Sequence, residues 1–190
     1  MKRQFLIGAI ALTVISGAFA LSAAQDRVVG QPAPQRPMMT RDAIAVIFPT
    51  DGSSVRGTVR FTQVGSSVKV VAEISGLEPN SEHGFHIHEF GDMSLGNGTS
   101  MGGHYNPSET DHALPSKEMR HAGDLGNIKA GSDGVARLER TFSGFSISSM
   151  RSNVLGRGVV IHALRDDGGQ PTGNAGARIG YGVIGIAKTE

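Results

Sequence analysis

The seven histidines of this chain are not spread evenly along it. His83, His86 and His88 fall together, His104, His112 and His121 follow in one long glycine-bearing stretch, and His162 closes an apolar run. In His86-Ile87-His88 the imidazoles alternate with an isoleucine, so on a strand both project from one face, about 7 Å apart. Asp124 follows His121 by three residues. Neutral imidazole suits copper, zinc, iron or nickel; with no thiolate in the chain, zinc and Cu(II) are the natural ions. A lone strand histidine is ordinarily a hydrogen-bonded residue, whereas seven in one sector with a nearby carboxylate point to metal. Seven imidazoles and a carboxylate exceed one site, and two sites sharing a bridge would use six histidines and the aspartate. A closed set of three histidines and one aspartate matches structural zinc, and a second histidine-rich site with a vacant position would do chemistry. Spacing alone does not assign each ring to a site.

Short strands are the elements that must hold these rings. The chain has 27 glycines in 190 residues, about twice the average usage of ~7%, and no segment sustains a helical period. Residues 43–48 end at Pro49; residues 57–64 and 67–74 alternate apolar and polar positions around Gly65-Ser66, the period of half-buried strands. Residues 83–90 return to alternation. Residues 127–130 and 135–142 flank Ser132-Asp133-Gly134, a hairpin signal, and residues 158–164 and 180–188 are the last apolar runs. Seven or eight antiparallel strands predict a β-sandwich or barrel. Residues 91–123 and 165–177 are too long for turns, and long loops on a compact β domain carry function.

Composition excludes other classes. The absence of cysteine rules out iron–sulfur clusters, thiolate zinc sites, thiol nucleophiles and disulfides. A net charge of +1 offers nothing to nucleic acid. Residues 1–24 read as a secretory signal peptide: Lys2 and Arg3, an apolar stretch over 5–21, then small residues permitting cleavage after Ala24 or after Ala20. Retention as a membrane anchor is the competing reading. Removal of Lys2 and Arg3 would leave 16 basic against 17 acidic residues. Residues 25–41 read as a proline-rich extended arm, and residues 42–190 as one domain. The expected location is periplasmic or extracellular, with no stable membrane insertion after cleavage.

Four segments carry a resemblance. GFHIHEFGD (84–92), GGHYNP (102–107), HAGDLGN (121–127) and GNAGARIG (173–180) resemble, in order and spacing, those of copper/zinc superoxide dismutases. The resemblance covers residues 43–188 and implies an all-β, eight-stranded antiparallel Greek-key barrel. It further implies copper and zinc, one each per chain, and conversion of two superoxide radicals to O2 and H2O2 by Cu(II)/Cu(I) cycling. By the same resemblance His86, His88 and His162 fall on copper ligands, and His104 on the imidazolate shared by copper and zinc, which also carries a proton. His112, His121 and Asp124 complete the zinc set. Asp166 matches a carboxylate linking a copper ligand to a zinc ligand, and His83 a histidine beneath the copper. Arg178 matches the arginine that guides superoxide, with Thr172 across the channel.

Two departures from the family pattern follow. The family disulfide joins the long loop to the last strand; the matching positions here, near Asn97 and at Tyr181, are not cysteine. Tyr181 is therefore expected to pack or hydrogen-bond against residues 96–98. The stretch 165–177 lacks the charged insertion of many relatives, which predicts weaker electrostatic steering. Competing readings are a non-catalytic copper/zinc carrier on the same fold, a cupin-type oxygenase, and a zinc-only structural protein. The cupin reading wants a Glu about four residues beyond the second His, whereas Glu89 is adjacent to His88. A homodimer is possible.

Overall fold

Alternation of buried and exposed side chains sets the architecture. Along β1 (Asp42–Pro49), β2 (Arg56–Val64) and β3 (Ser67–Ser75), Ala43, Ala45, Ile47, Val59, Phe61, Val68, Val70, Ala72 and Ile74 are buried while their neighbours reach toward water. One sheet face therefore packs on a core. The structure, a computed structural model, describes residues 40–188; the expected signal peptide and residues 25–39 of the arm lie outside them. Among the described residues five further strands complete the element order: β4 (Glu82–His88), β5 (Asp124–Lys129), β6 (Ala136–Phe142), β7 (Gly158–His162) and β8 (Arg178–Ile186), with a single 3-10 turn at Thr99–Met101.

All pairings between these strands are antiparallel, in the order β5-β4-β7-β8-β1-β2-β3-β6. The end strands β5 and β6 are joined by the turn at Ser132-Asp133-Gly134 and bridged at Ala130 and Ala136. The result is the nearly closed eight-stranded barrel that the alternation predicts. Its interior holds Phe61, Phe85, Ile87, Leu125, Ile128, Ile147, Ile161 and Ile184. Truncating one such aromatic to Ala costs about 3–5 kcal/mol.

β4 and β7 differ from the other strands because both their faces are covered. Phe85, Ile87, Val159 and Ile161 point into the barrel. The alternate residues His86, His88, Val160 and His162 point outward, where the stretches 91–123 and 165–177 roof them. The chemistry thus lies outside the barrel wall and beneath loops.

Strand limits depart from expectation at the positions that matter for the site. β4 stops at His88 rather than Phe90, because the loop takes over its pairing: Glu89 N donates to Gly103 O (3.0 Å) and Phe90 N to Met101 O (3.0 Å). β7 likewise stops at His162, where its register with β8 shifts. β5 begins at Asp124, three residues before Asn127. Asp124, Gly126 and Asn127 look like turn residues, but Gly126 (φ 84°) sits within the strand, and a Cβ there would lie 2.8 Å from Pro115 Cδ. β8 begins at Arg178, paired with His162, rather than at Gly180.

Candidate metal centre

The long loop reaches the strand histidines through backbone pairing. Ile87 N donates to Gly123 O, Gly123 N to Tyr105 O, and Tyr105 N to Ile87 O, each at 2.9 Å. His88 and His104 form a bridge across this extension of β4. Gly123 is required here, since a Cβ would run into the Ile87 carbonyl oxygen. His104, His121 and Asp124 are thereby delivered beside His86 and His88, and β7 brings His162. His112 is held from the second loop: its N–H donates to Gln170 Oε1 (3.2 Å) and Gln170 Nε2 donates to its carbonyl (2.7 Å).

Two groups result, His86–His88–His104–His162 and His104–His112–His121–Asp124. Within each, one candidate ligand atom per residue lies within 4.8 Å of all the others, and every member is buried. His104 belongs to both, its ring centroid 4.0 Å from that of His86.

Hydrogen bonding fixes where the protons sit in the first group. His88 Nδ1 donates to Gly102 O (3.0 Å) and His162 Nδ1 to Gly176 O (3.2 Å), because a carbonyl oxygen can only accept. In the neutral rings each Nε2 is then a lone-pair acceptor, and the two face one another at 3.3 Å. His86 Nε2 donates to Asp166 Oδ2 (2.9 Å), which leaves His86 Nδ1 buried with no partner; His104 Nε2 is also without one. Four nitrogen acceptors turned toward one point suit a bound cation, and neutral imidazole suits copper.

The second group converges on one carboxylate. His104 Nδ1 lies 2.9 Å and His121 Nδ1 3.3 Å from Asp124 Oδ1, and His112 Nδ1 lies 3.0 Å from Oδ2. His112 Nδ1 and His121 Nδ1 make no hydrogen bond despite that closeness. Tetrahedral zinc with bonds of ~2.0–2.1 Å has ligand–ligand edges of ~3.3 Å, and the three ring nitrogens approach the Asp124 carboxylate at separations close to that edge, two at Oδ1 and one at Oδ2. Asp124 Oδ2 also accepts from His121 N (3.0 Å) and Ala113 N (3.1 Å), which orients the carboxylate.

Electrostatics separate the two groups. Burial holds the His86 and His88 rings below their ordinary value, while burial and neighbouring imidazoles lower His104 to about 4 and His162 to about 3. These rings are neutral at neutral pH, the state that can ligate. Burial also opposes charge on His112, but contacts with Asp124 and Asp166 outweigh it and raise the ring to about 9. Burial alone would raise both carboxyls; hydrogen bonds from the histidines hold Asp124 and Asp166 well below the usual carboxylate range.

Asp166 joins the groups, with Oδ2 on His86 Nε2 and Oδ1 accepting from His112 Nε2 (3.0 Å). Its own backbone is fixed by Asn127, which accepts from Asp166 N (2.7 Å) and donates to Asp166 O (2.9 Å). Neither Asn127 nor Gln170 is among the site residues expected from the sequence. Asn127 lay inside a quoted segment, while Gln170 has no sequence signal. His83 lies outside both groups: its Nδ1 donates to His162 O (2.8 Å), behind the ring. Thr172 is exposed on the second loop.

Arg178 is half-buried and donates through Nη1 to Gly98 O and through Nη2 to Gly102 O (2.5 Å). The Gly102 carbonyl therefore accepts from both Arg178 and His88. The guanidinium is close enough to help depress the His88 and His162 rings. Tyr181 is buried with Met101 and Val160. The loop residue facing its ring is Gly98, one position beyond Asn97; a Cβ on Gly98 would lie 3.5 Å from Tyr181 Cδ2. Asn97 instead accepts from Thr99 N (3.0 Å) and Thr99 Oγ1 (2.7 Å), tightening the loop locally.

Comparison with known proteins agrees with this chemistry. A sequence model of the copper/zinc superoxide dismutase (SODC) family matches residues 55–184. A superoxide dismutase [Cu-Zn] of Paramecium bursaria Chlorella virus 1 is 48% identical over 141 residues, covering 70% of this chain and 74% of the viral protein. An extracellular superoxide dismutase [Cu-Zn] of Drosophila melanogaster is 45% identical over 146 residues, 72% of this chain and 79% of its own length. Among solved structures, that of the clock protein EA4 superposes with a TM-score of 0.72 at 41% identity, covering 78% of this chain and 96% of EA4.

Proposed function

The chain belongs to the copper/zinc superoxide dismutase family, and from that premise we propose which of its residues carry the reaction. It is an oxidoreductase that takes superoxide as substrate, and its family uses copper and zinc. The observation that carries the assignment is His104, whose Nε2 faces one buried group while its Nδ1 faces the other.

His86, His88, His104 and His162 would hold copper, and His104, His112, His121 and Asp124 would hold zinc. Copper there would supply the one-electron chemistry by which one superoxide becomes O2 and a second, with two protons, becomes H2O2. With Nδ1 committed to the zinc side, Nε2 is the atom at which His104 can hold a proton and pass it to the reduced product. Asp166 keeps His86 and His112 in the tautomer that leaves their Nδ1 atoms free as ligands. Arg178 spends two of its five donors on loop carbonyls, and its remaining donors and fixed charge can attract and orient a small anion. His83 supports His162 from behind, and Thr172 would form the opposite rim of the channel. A non-catalytic carrier on the same fold has no observation in its favour.

The finer assignments of location and assembly rest on fewer observations. Residues 1–24 would act as a signal peptide delivering the domain to an extracellular or periplasmic space, as the extracellular Drosophila relative supports. Among the described residues no helix is long and apolar enough to cross a membrane. Assembly with a second copy of the chain would bury apolar side chains now exposed, among them Val46, Phe48 and Phe90, each about half exposed.

Metal analysis of two variants tests the residue assignment. His162→Ala should lose copper and keep zinc, and Asp124→Ala should lose zinc first. Equal loss of both metals from either variant, in a folded protein, would contradict two distinct sites.

A further inference from the structure

Away from the histidine groups, three cations converge on a single cleft. Between the zinc-side loop and the end of β6, Lys117, Arg120 and Arg140 line a cleft of about 280 Å³. None of the three has a carboxylate partner among the described residues, whereas their neighbours in the sheet do. Arg137 pairs with Glu73 and Asp133, and Lys69 pairs with Glu139. The one acidic residue lining the cleft, Glu118, forms no ion pair.

Both guanidinium groups are held in place by uncharged partners. Arg120 donates through Nε to Asp124 O (3.4 Å), through Nη1 to Lys117 O (3.1 Å) and through Nη2 to Ser143 O (3.3 Å). Arg140 lies over the Phe142 ring, with Cζ 5.3 Å from its centroid. Backbone carbonyls and an aromatic face orient these cations without neutralising them. Like charges gathered in one concavity repel, and the partner that relieves them is an anion with several acceptor oxygens. Guanidinium matches such an oxyanion through paired, charge-assisted hydrogen bonds.

We propose that this cleft binds a tetrahedral oxyanion, phosphate or sulfate, either free or carried as an ester on a larger molecule. The site is separate from Arg178, which meets the other side of the loop system at Gly98 and Gly102. Lys117 and Arg140 touch no metal-group residue, so they can be changed without disturbing the reaction.

Calorimetric titration of the metal-loaded protein at low ionic strength tests this, with inorganic phosphate, inorganic sulfate and a sulfated oligosaccharide as separate probes. One equivalent should bind, and Lys117→Ala/Arg140→Ala should weaken it by about tenfold or more, the scale of losing charge-assisted contacts. Dismutation and metal content should stay at the parent level. Arg140→Glu alone should weaken binding similarly, which guards against a double variant that fails to fold. Comparable affinity for the free ions and the oligosaccharide would mark a free-anion site, and binding of the oligosaccharide alone an ester site; both support the cleft if the variants lose them. No binding by any probe, or binding that survives in the variants and vanishes in Arg178→Ala, would overturn the proposal.

Discussion

His88 and His162 confront one another through their Nε2 atoms at 3.3 Å, each with its own proton already given to a carbonyl, Gly102 O and Gly176 O respectively. Two buried acceptors at that distance have nothing to share in the metal-free fold. The same arrangement becomes favourable around a cation, so the barrel carries a stored preference for the loaded state. Binding to the folded chain alone also stabilises it by mass action.

Acid should therefore weaken the metal-free protein earlier than carboxylates alone would. The His104 and His162 rings have folded-state values of about 4 and about 3, below the ~6.5 of an unfolded histidine, so the unfolded chain takes up protons more readily. Their contribution is fully present above pH ~6.5 and is lost as pH falls toward about 4 and then about 3. His112, raised to about 9, acts in the opposite sense: its contribution is fully present below ~6.5 and is lost as pH rises from there through about 9. The urea midpoint of the metal-free protein should peak near neutrality and decline on both sides. A midpoint flat from pH 7 to pH 4 would contradict this.

Removing the carboxylate between the two groups should loosen both. Asp166→Ala leaves His86 Nε2 and His112 Nε2 without an acceptor, so neither ring is held in its ligating tautomer. Loss of such an outer partner typically costs about 10–100-fold in metal affinity. Competitive zinc titration should show a loss of that size, although Asp166 is not itself in either candidate ligand group. An unchanged zinc affinity would remove Asp166 from the account.

Tyr181 should matter through its ring. It packs with Met101 and Val160 and faces Gly98, and no side-chain hydrogen bond to residues 96–98 accompanies that packing among the described residues. Tyr181→Phe is expected to leave melting temperature and zinc affinity near the parent values. Tyr181→Ala should lower both, with a stability loss of roughly 3 kcal/mol, the lower range for truncating a buried aromatic. If both variants match the parent, the ring does not anchor the loop.

Strand existence was legible in the chain because half-buried antiparallel strands write their period directly: Val68, Val70, Ala72 and Ile74 alternate without interruption. Strand ends were not. Asp124 and Arg178 open β5 and β8, yet both sit among glycines and polar residues that read as loop. The metal-bearing face was legible in His86-Ile87-His88, since two outward imidazoles need only the strand period. The supports around it were not, because Gln170 reaches His112 across 58 residues and Asn127 reaches Asp166 across 39. Contacts of that separation leave no local pattern. Gly98 lies within the 96–98 segment expected to meet Tyr181, and the structure narrows the contact to it, a residue with no side chain where the Tyr181 ring needs room.

On the proposed assignment one ring, His104, would join the copper group to the zinc group in a working dismutase. The most direct measurement is copper and zinc content per chain of the purified protein, with superoxide dismutation assayed before and after selective copper chelation. Near one equivalent of each metal is expected, with activity that disappears with copper and returns on its re-addition, and zinc that stays bound throughout. Zinc alone with no copper-dependent turnover, or activity indifferent to chelation, would contradict it.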